Sequence, residues 1–444
     1  MTRIKTLCQF FFIMLVFLGV AVAYCKYFKI WFLEESDLLR FSMVFGIVLM
    51  TLPVAYLIFL TVLMKFFYRE VAPLTDGRLP RCTVVIPAYN EGEHVYKAIA
   101  SVFDSDYPAD KLEVYAVDDG SIDDTWSWMN EAGKKFGPRL KLLRNQQNKG
   151  KRYALYRGFT AGNGEVLISI DSDSMVMPDA IRKMVSPFAE NEKIGAVSGN
   201  IRVANLDNGI FPPMIEVGFA FSFEFVRAGQ SAANCVLCTP GALSAYRRSA
   251  IMPLLNEWLN QSFMGKPAGI GEDRALTNLI LRENYDVTLQ RSAMATTNVP
   301  ECYVGICRML LRWERSNIRE NLSMFGFVFK NFDVKSLKSW MLLFSLLEYT
   351  QMCMLPGVMI LITLYNILMT HGELLGSVAL MTIMWATIPA LANMRRKSLK
   401  MICFCYVYGI FHLLALFWVA PYALVTVGNS KWLTRMVPGA SGKL

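Results

Sequence analysis

The sequence predicts an α/β domain with a mostly parallel sheet, held between flanks that cross or lie on a membrane. Three observations predict it. Of the 444 residues 54% are hydrophobic and the mean hydropathy is positive, which is too apolar for one soluble enzyme of this size. The apolar residues gather at the two ends, whereas Arg81 to about Arg291 mixes apolar and charged residues as a soluble domain does. Inside that centre three short runs rich in β-branched residues, CTVVIPAYN at Cys82, EVYAVDDGS at Glu113 and EVLISIDSDS at Glu165, alternate with helix-like stretches. That alternation is the mark of strands covered on both faces.

At the N-terminus, Leu7 to Cys25 and Phe41 to Met64 are each long enough for a hydrocarbon core of roughly 30 Å. Residues 1–70 are therefore read as two transmembrane helices. A cleaved signal peptide ending near Ala21-Val22-Ala23 competes for the first run, which is longer than the usual signal core. Arg3 and Lys5 before the pair, and Lys65, Arg69, Arg78 and Arg81 after it, put both ends in the cytosol by the positive-inside rule. The centre, residues 71–300, is then a cytosolic domain of an integral plasma (inner) membrane protein.

The net charge of +9 comes without any dense Lys/Arg tract interleaved with aromatics, and the basic residues crowd beside apolar runs. Membrane topology explains them, and nucleic acid is not an expected partner. The ten cysteines read as free thiols, and Cys235-x-x-Cys238 lacks the second pair or nearby His of a zinc site. That pair reads as two small core residues.

Each of the three strand-like runs ends in a polar cluster. In open α/β sheets ligands sit outside the carboxyl ends of the strands, so Asn90, Glu91, Asp118, Asp119, Asp171 and Asp173 should share one rim. So many carboxylates would repel a phosphate unless a divalent cation lay between. Asp171-Ser172-Asp173 offers two carboxylates on one side of an extended strand end, a spacing suited to a hard, oxygen-liganded ion bridging to a diphosphate. The plain alternative is a solvated turn.

After the centre, residues 301–338 form an interfacial segment in which, between Leu310 and Phe332, apolar Leu311, Ile318, Leu322 and Phe325 alternate with charged Arg315, Arg319 and Glu320. This suits a helix lying in the interface, with a helix packed on the soluble domain as the alternative. Residues 339–444 carry apolar runs at Trp340–Met369, Leu374–Met394 and Met401–Val427, with the basic cluster Arg395, Arg396, Lys397 and Lys400 on the cytosolic side. A re-entrant or interfacial course for the last run, bent at Pro421, would keep Lys431, Arg435 and Lys443 inside.

Seven ordered motifs carry a resemblance: VVIPAYNEG at Val84, VDDGSIDDT at Val117, NKGKRYAL at Asn148, IDSDS at Ile170, PGALSAYRRSAI at Pro240, GEDRALTN at Gly271 and RWERSNIRE at Arg312. From about Val84 to Glu320 the chain resembles the processive GT-A-fold family 2 β-glycosyltransferases, most closely hyaluronan synthases and rhizobial chitin-oligosaccharide synthases, with a weaker likeness in KWLTR at Lys431. The resemblance implies a GT-A domain that transfers sugar from a UDP-sugar to a growing polysaccharide with inversion, using Mg2+ or Mn2+. It implies that Tyr89, Glu91, Asp118, Asp119 and Lys151 hold the nucleotide sugar together with Asp171 and Arg312. Asp171 and Asp173 would be the metal residues, with Asp173 the direct ligand, and Asp273 the base on the acceptor hydroxyl. Arg312 would steady the leaving diphosphate, and Glu272 and Trp313 would face the acceptor sugar.

One position departs from the pattern: the Gln usual three residues before that Arg is Met309 here. Synthases of other uronic-acid polymers such as mannuronan therefore stay open as relatives. Two further alternatives are a non-processive enzyme acting on a membrane lipid and a transport protein whose cytosolic domain only senses a nucleotide. The retained base and aromatic platform speak for catalysis. Histidine occurs only at His94, His371 and His412, and no Gly-x-Ser-x-Gly or P-loop pattern offers another chemistry. The plain reading of Glu272-Asp273-Arg274 is a charged helix start.

Overall fold

The computed structural model describes residues 37–369 and 398–429, with 382–383, 386–387 and 389–391 between them. The expected crossing at Leu7–Cys25, most of Leu374–Met394 and the KWLTR segment lie outside the described residues.

The strands are β1 (Cys82–Ala88), β2 (Leu112–Asp118), β3 (Leu140–Arg144), β4 (Val166–Ser169), β5 (Ser174–Val176), β6 (Ile194–Val203), β7 (Ser244–Arg247), β8 (Ser262–Phe263), β9 (Lys266–Pro267) and β10 (Asp286–Thr297). Eight form one sheet in the order β3-β2-β1-β4-β7-β6-β10-β5, and β8 and β9 make a separate hairpin. Side chains alternate across the sheet, as the strand period of two requires. Val84, Ile86, Ala116 and Ile168 join Ile99, Met129 and Met184 from helices on one face, while Val85, Val117 and Leu167 join Leu155, Phe159, Trp258 and Ile280 on the other. With both faces covered, the central strands read as continuous apolar runs. Each fully buried side chain of this kind contributes about 1.5–3 kcal/mol, and that core is what fixes the strand ends in place.

β1 to β4 pair in parallel, as does β6 with β10. The sheet departs from the parallel expectation at β7, which is antiparallel to both β4 and β6, and at β5, antiparallel to β10. The Ser-Ala-Tyr-Arg of β7 has no β-branched residue, so its local pattern carries neither a strand signal nor a direction. Its antiparallel course has a consequence for the site. The loop that precedes it, Cys235 to Leu243, arrives at the same edge as the carboxyl ends of its neighbours.

The helix Asp37–Phe66 covers the expected Phe41–Met64 run. It buries Tyr56, Leu60 and Leu63 in the same core as Met341 and Leu346 of the helix Leu337–Met369, and exposes Val54, Ile58, Val62 and Phe66 at four-residue spacing. Tyr56 is pinned between Ser345 (2.9 Å) and Gln230 (3.1 Å). Among the described residues one helix, Leu399–Leu416, is long and apolar enough to cross a membrane.

The helix Tyr303–Val328 turns the expected faces round. Arg315, Arg319 and Glu320 are buried, whereas Leu322 and Phe325 are exposed; Leu311 and Ile318 are buried as their apolarity suggests. Glu320 faces inward because Asn278 of the helix Glu272–Arg282 donates to its carboxylate (3.1 Å), and Arg319 because it donates to the Ile270 carbonyl. Beyond Leu416 the helix is interrupted by a turn at residues 417–418, ahead of Pro421, which takes the first turn of the short helix Val419–Val425 where its missing N–H is harmless. That helix packs along Tyr303–Val328, and Arg315 donates to the Thr426 hydroxyl at 3.0 and 2.9 Å.

Candidate active site

Three strand ends build one side of the site. β1 and β2 stop in register, Ala88 opposite Asp118, and the Asp119 amide continues the pairing to the Ala88 carbonyl (2.8 Å). β4 stops earlier, with Ser169 opposite Val85, so the chain turns off the sheet at Ile170 and carries Asp171 and Asp173 to the edge. The segments after β1 and β2 lock together. The Asn90 amide donates to Ser121 (3.0 Å), the Ile122 amide to Asn90 Oδ1 (3.0 Å) and the Glu91 amide to Thr125 (2.8 Å). Tyr89 and Glu91 sit half-buried on this frame.

Asp118 and Asp119 are buried and serve the frame. Asp118 accepts from the Ser121 amide (3.0 Å) and pairs with Arg144 (3.1 Å). Asp119 accepts from Asn145 Nδ2 (2.6 Å) and from the amides of Lys149 (3.1 Å) and Gly150 (2.7 Å), so it fixes the loop that launches the helix Lys151–Ala161. Burial raises its carboxyl above the usual range despite these donors. Gly120, at φ +76°, has the Gln147 backbone 2.6 Å from where a Cβ would stand. Only glycine lets these two loops close on each other.

Lys151 reaches across the rim. Its ammonium lies 2.5 Å from Asp171 Oδ1 and 2.8 Å from Glu272 Oε1, joining the end of β4 to the first residue of the helix Glu272–Arg282. Burial works against the charge, yet the two carboxylates hold the ammonium above its ordinary range. Glu272 is buried; desolvation would raise its carboxyl, but Lys151, with Arg312 adding to the field, brings it well below the usual value. Asp273 goes the other way. Burial and the neighbouring Glu272 charge push its carboxyl up, against the pull of Lys151. Two adjacent carboxylates driven apart in this manner suit one fixed anion and one proton-accepting group.

The helix start at Glu272 rests on Gly271, in the left-handed region at φ +70°. Asp273 Oδ1 accepts from the Arg274 amide (2.8 Å) and its Oδ2 faces the Cys238 thiol (3.7 Å), in the loop that antiparallel β7 brings to the edge. Arg227 fixes that loop, donating to the Cys238 carbonyl (3.0 Å) from just after the π-helical turn Ser222–Val226. Asp173 Oδ1 lies 3.4 Å from the Thr297 hydroxyl at the end of β10. Trp313 is half-buried, its ring 6.0 Å from that of Phe219, at the edge of an apolar cluster to which Tyr349, Tyr408 and Trp418 contribute. Met309 is buried in the same cluster with Val203, Ile215 and Val299.

Asp171, Glu272, Asp273, Lys151 and Arg312 are thus gathered at one edge. Gly241, Arg227 and Thr297 stand there too and were not singled out from the sequence, and Cys238, read from the sequence as a small core residue, is half-buried and faces Asp273 instead. The Pro240-Gly241 turn and the Gly-Glu-Asp helix start carried the available signal. Two hard carboxylates at the sheet edge fit a divalent ion that takes its remaining oxygens from a diphosphate and water. Among the described residues no group of three or more His, Cys, Asp or Glu side chains forms a ready-made cage. A cavity of about 580 Å³, lined by residues such as Lys193, Asn234, Tyr285 and Lys338, contains none of these carboxylates. All eight described cysteines are free thiols, and Cys235 is buried in the core.

The family described as Glycosyl transferase family 2 matches residues 83–255. An N-acetylglucosaminyltransferase of Rhizobium meliloti is 30% identical over 84% of this chain and 86% of its own length, and one of Mesorhizobium japonicum is 31% identical over 80% and 82%. A hyaluronan synthase of Streptococcus pyogenes is 29% identical over 80% of this chain and 83% of its own. Among solved structures, a mannosyltransferase of Pyrobaculum calidifontis in complex with GDP-Man and Mn2+ superimposes with a TM-score of 0.57 at 20% identity, covering 88% of this chain and 97% of that one. It shares the fold.

Proposed function

The chain belongs to glycosyl transferase family 2, and on that premise we propose that it is a processive, membrane-embedded synthase of a β-linked polysaccharide. It takes sugar from a UDP-sugar on the cytosolic side, inverts the anomeric centre, and passes a hyaluronan- or chitin-like chain outward. One observation carries this reading. The single helix start Glu272-Asp273 is linked through Lys151 to the Asp171 strand end on one side and packed on the Arg312-Trp313 helix on the other. Donor and acceptor groups therefore converge there.

Tyr89, Glu91 and the loops fixed by Asp118 and Asp119 hold the nucleotide, and Asp171, Asp173, Lys151 and Arg312 face its diphosphate. Asp171 and Asp173 would hold Mg2+ or Mn2+, which would supply positive charge for the diphosphate. Asp273 takes the proton of the acceptor hydroxyl as that oxygen attacks, and its raised carboxyl pKa makes it the better base of the adjacent pair. Glu272, charged and held by Lys151, orients the acceptor, and the Trp313 ring offers the sugar an apolar face. The helices Asp37–Phe66, Leu337–Met369 and Leu399–Leu416 embed the enzyme in lipid, with Val54, Ile58, Val62, Leu364 and Leu414 turned outward.

Sealed vesicles with the catalytic domain outside, supplied externally with UDP-sugars singly and in pairs, test the proposal. Polymer recovered from the lumen is the expected result. A short lipid-linked sugar on the outer face, with no lumenal polymer, would overturn it.

A further inference from the structure

One ammonium serves two carboxylates that belong to different halves of the reaction. Lys151 touches Asp171 on the donor side at 2.5 Å and Glu272 on the acceptor side at 2.8 Å. Its side chain is only 13% exposed and that of Glu272 5%, so neither charge has water as a ready substitute. The pocket for this ammonium is built. A Cβ at Gly241 would stand 2.4 Å from Lys151 Nζ and 3.2 Å from both Asp171 oxygens, so a bare backbone at that position is what leaves the cation room.

A divalent ion held directly by Asp173 and drawing on Asp171 as well must compete with the ammonium already on Asp171, because two cations sharing a carboxylate at about 4 Å repel strongly at the effective dielectric of a partly buried site. Glu272 remains within reach of the same flexible stem. We propose that Lys151 is the resident cation of the reaction centre, shared between the metal-side carboxylate and Glu272 until the donor complex arrives, and then giving up Asp171 for the diphosphate while keeping Glu272. Metal alone therefore binds weakly. Metal with nucleotide binds well, since the diphosphate gives the displaced ammonium a new partner. The same transfer concentrates Lys151 on Glu272, so donor loading readies the acceptor side. This inference rests on the reading of Asp171 and Asp173 as metal carboxylates.

The test is direct Mn2+ binding to full-length protein in detergent, followed by the loss of the free Mn2+ resonance, with and without UDP. Without UDP, Lys151→Met should bind Mn2+ about tenfold or more tightly than the natural protein, and the gain in affinity on adding UDP should shrink. Gly241→Ala provides a second, charge-conserving variant. Its methyl displaces the ammonium, so Mn2+ affinity without UDP should rise here too. Tighter binding in Lys151→Met but not in Gly241→Ala would reduce the effect to a general field and overturn the inference, as would unchanged binding in both. If the natural protein bound no Mn2+ even with UDP, while UDP itself bound, the metal reading would fail and this inference with it.

Discussion

Gly271 stands where any side chain would strike Ser316: a Cβ there would come within 2.4 Å of the Ser316 Cβ and 3.2 Å of the Arg319 guanidinium. The first residue of the Glu272–Arg282 helix is thereby pressed onto the helix that carries Arg312 and Trp313, and Arg319 donates to the Ile270 carbonyl beside it. Gly271→Ala combines a left-handed backbone with overpacking, at a cost of about 2–4 kcal/mol. Thermal unfolding should show a lowered Tm, and UDP release should fall with it. A fully active, equally stable variant would mean that the two helices do not need this contact.

Asp273→Asn retains shape but cannot accept a proton. Turnover should drop by about a hundredfold or more while UDP binding, measured by calorimetry, stays near the natural value. Near-normal polymer yield would remove Asp273 from the role of base.

The pH dependence follows from the same pair. A base works as its anion, and burial together with Glu272 raises the Asp273 carboxyl, so kcat/KM should climb with pH through a value above the ordinary aspartate range. Glu272→Gln removes a neighbouring negative charge, which favours the Asp273 anion. The acid limb should accordingly move to lower pH, whatever the absolute rate. An acid limb that stays put or moves upward would contradict the coupling.

Asp173 lies at a half-buried strand end beside Thr297, away from the apolar helices. Asp173→Asn should abolish sugar transfer and leave membrane insertion intact, and a chelator should abolish the activity of the natural protein until Mg2+ or Mn2+ is added back. Full activity in excess chelator is the outcome that counts against a metal.

Trp313→Ala should lower polymer synthesis about two- to tenfold, the effect of losing an aromatic contact of about 0.5–1.5 kcal/mol, with UDP affinity nearly unchanged. Equal losses in both would move Trp313 from the acceptor to the nucleotide.

The sequence by itself determined the strands β1, β2 and β4 and the polar clusters that end them, because a buried strand must be apolar and its end must turn. It likewise marked Asp171, Glu272, Asp273, Arg312 and Trp313 as candidates through short motifs, whose residues lie only a few positions apart. Only the tertiary structure decided the direction of β7, and with it the arrival of Cys238 and Gly241 at the edge. Strand direction depends on partners 75 residues away, Ser169 opposite Ser244, and leaves no local period to read. The same holds for the charged face of Tyr303–Val328. Arg315, Arg319 and Glu320 look solvated in the sequence, yet they are buried because hydrogen bonds from Asn278 and to Thr426 and Ile270 replace water. A polar side chain goes wherever its hydrogen bonds are satisfied, and for Lys151, shared between Asp171 and Glu272 across 121 residues of chain, only the folded protein says where that is.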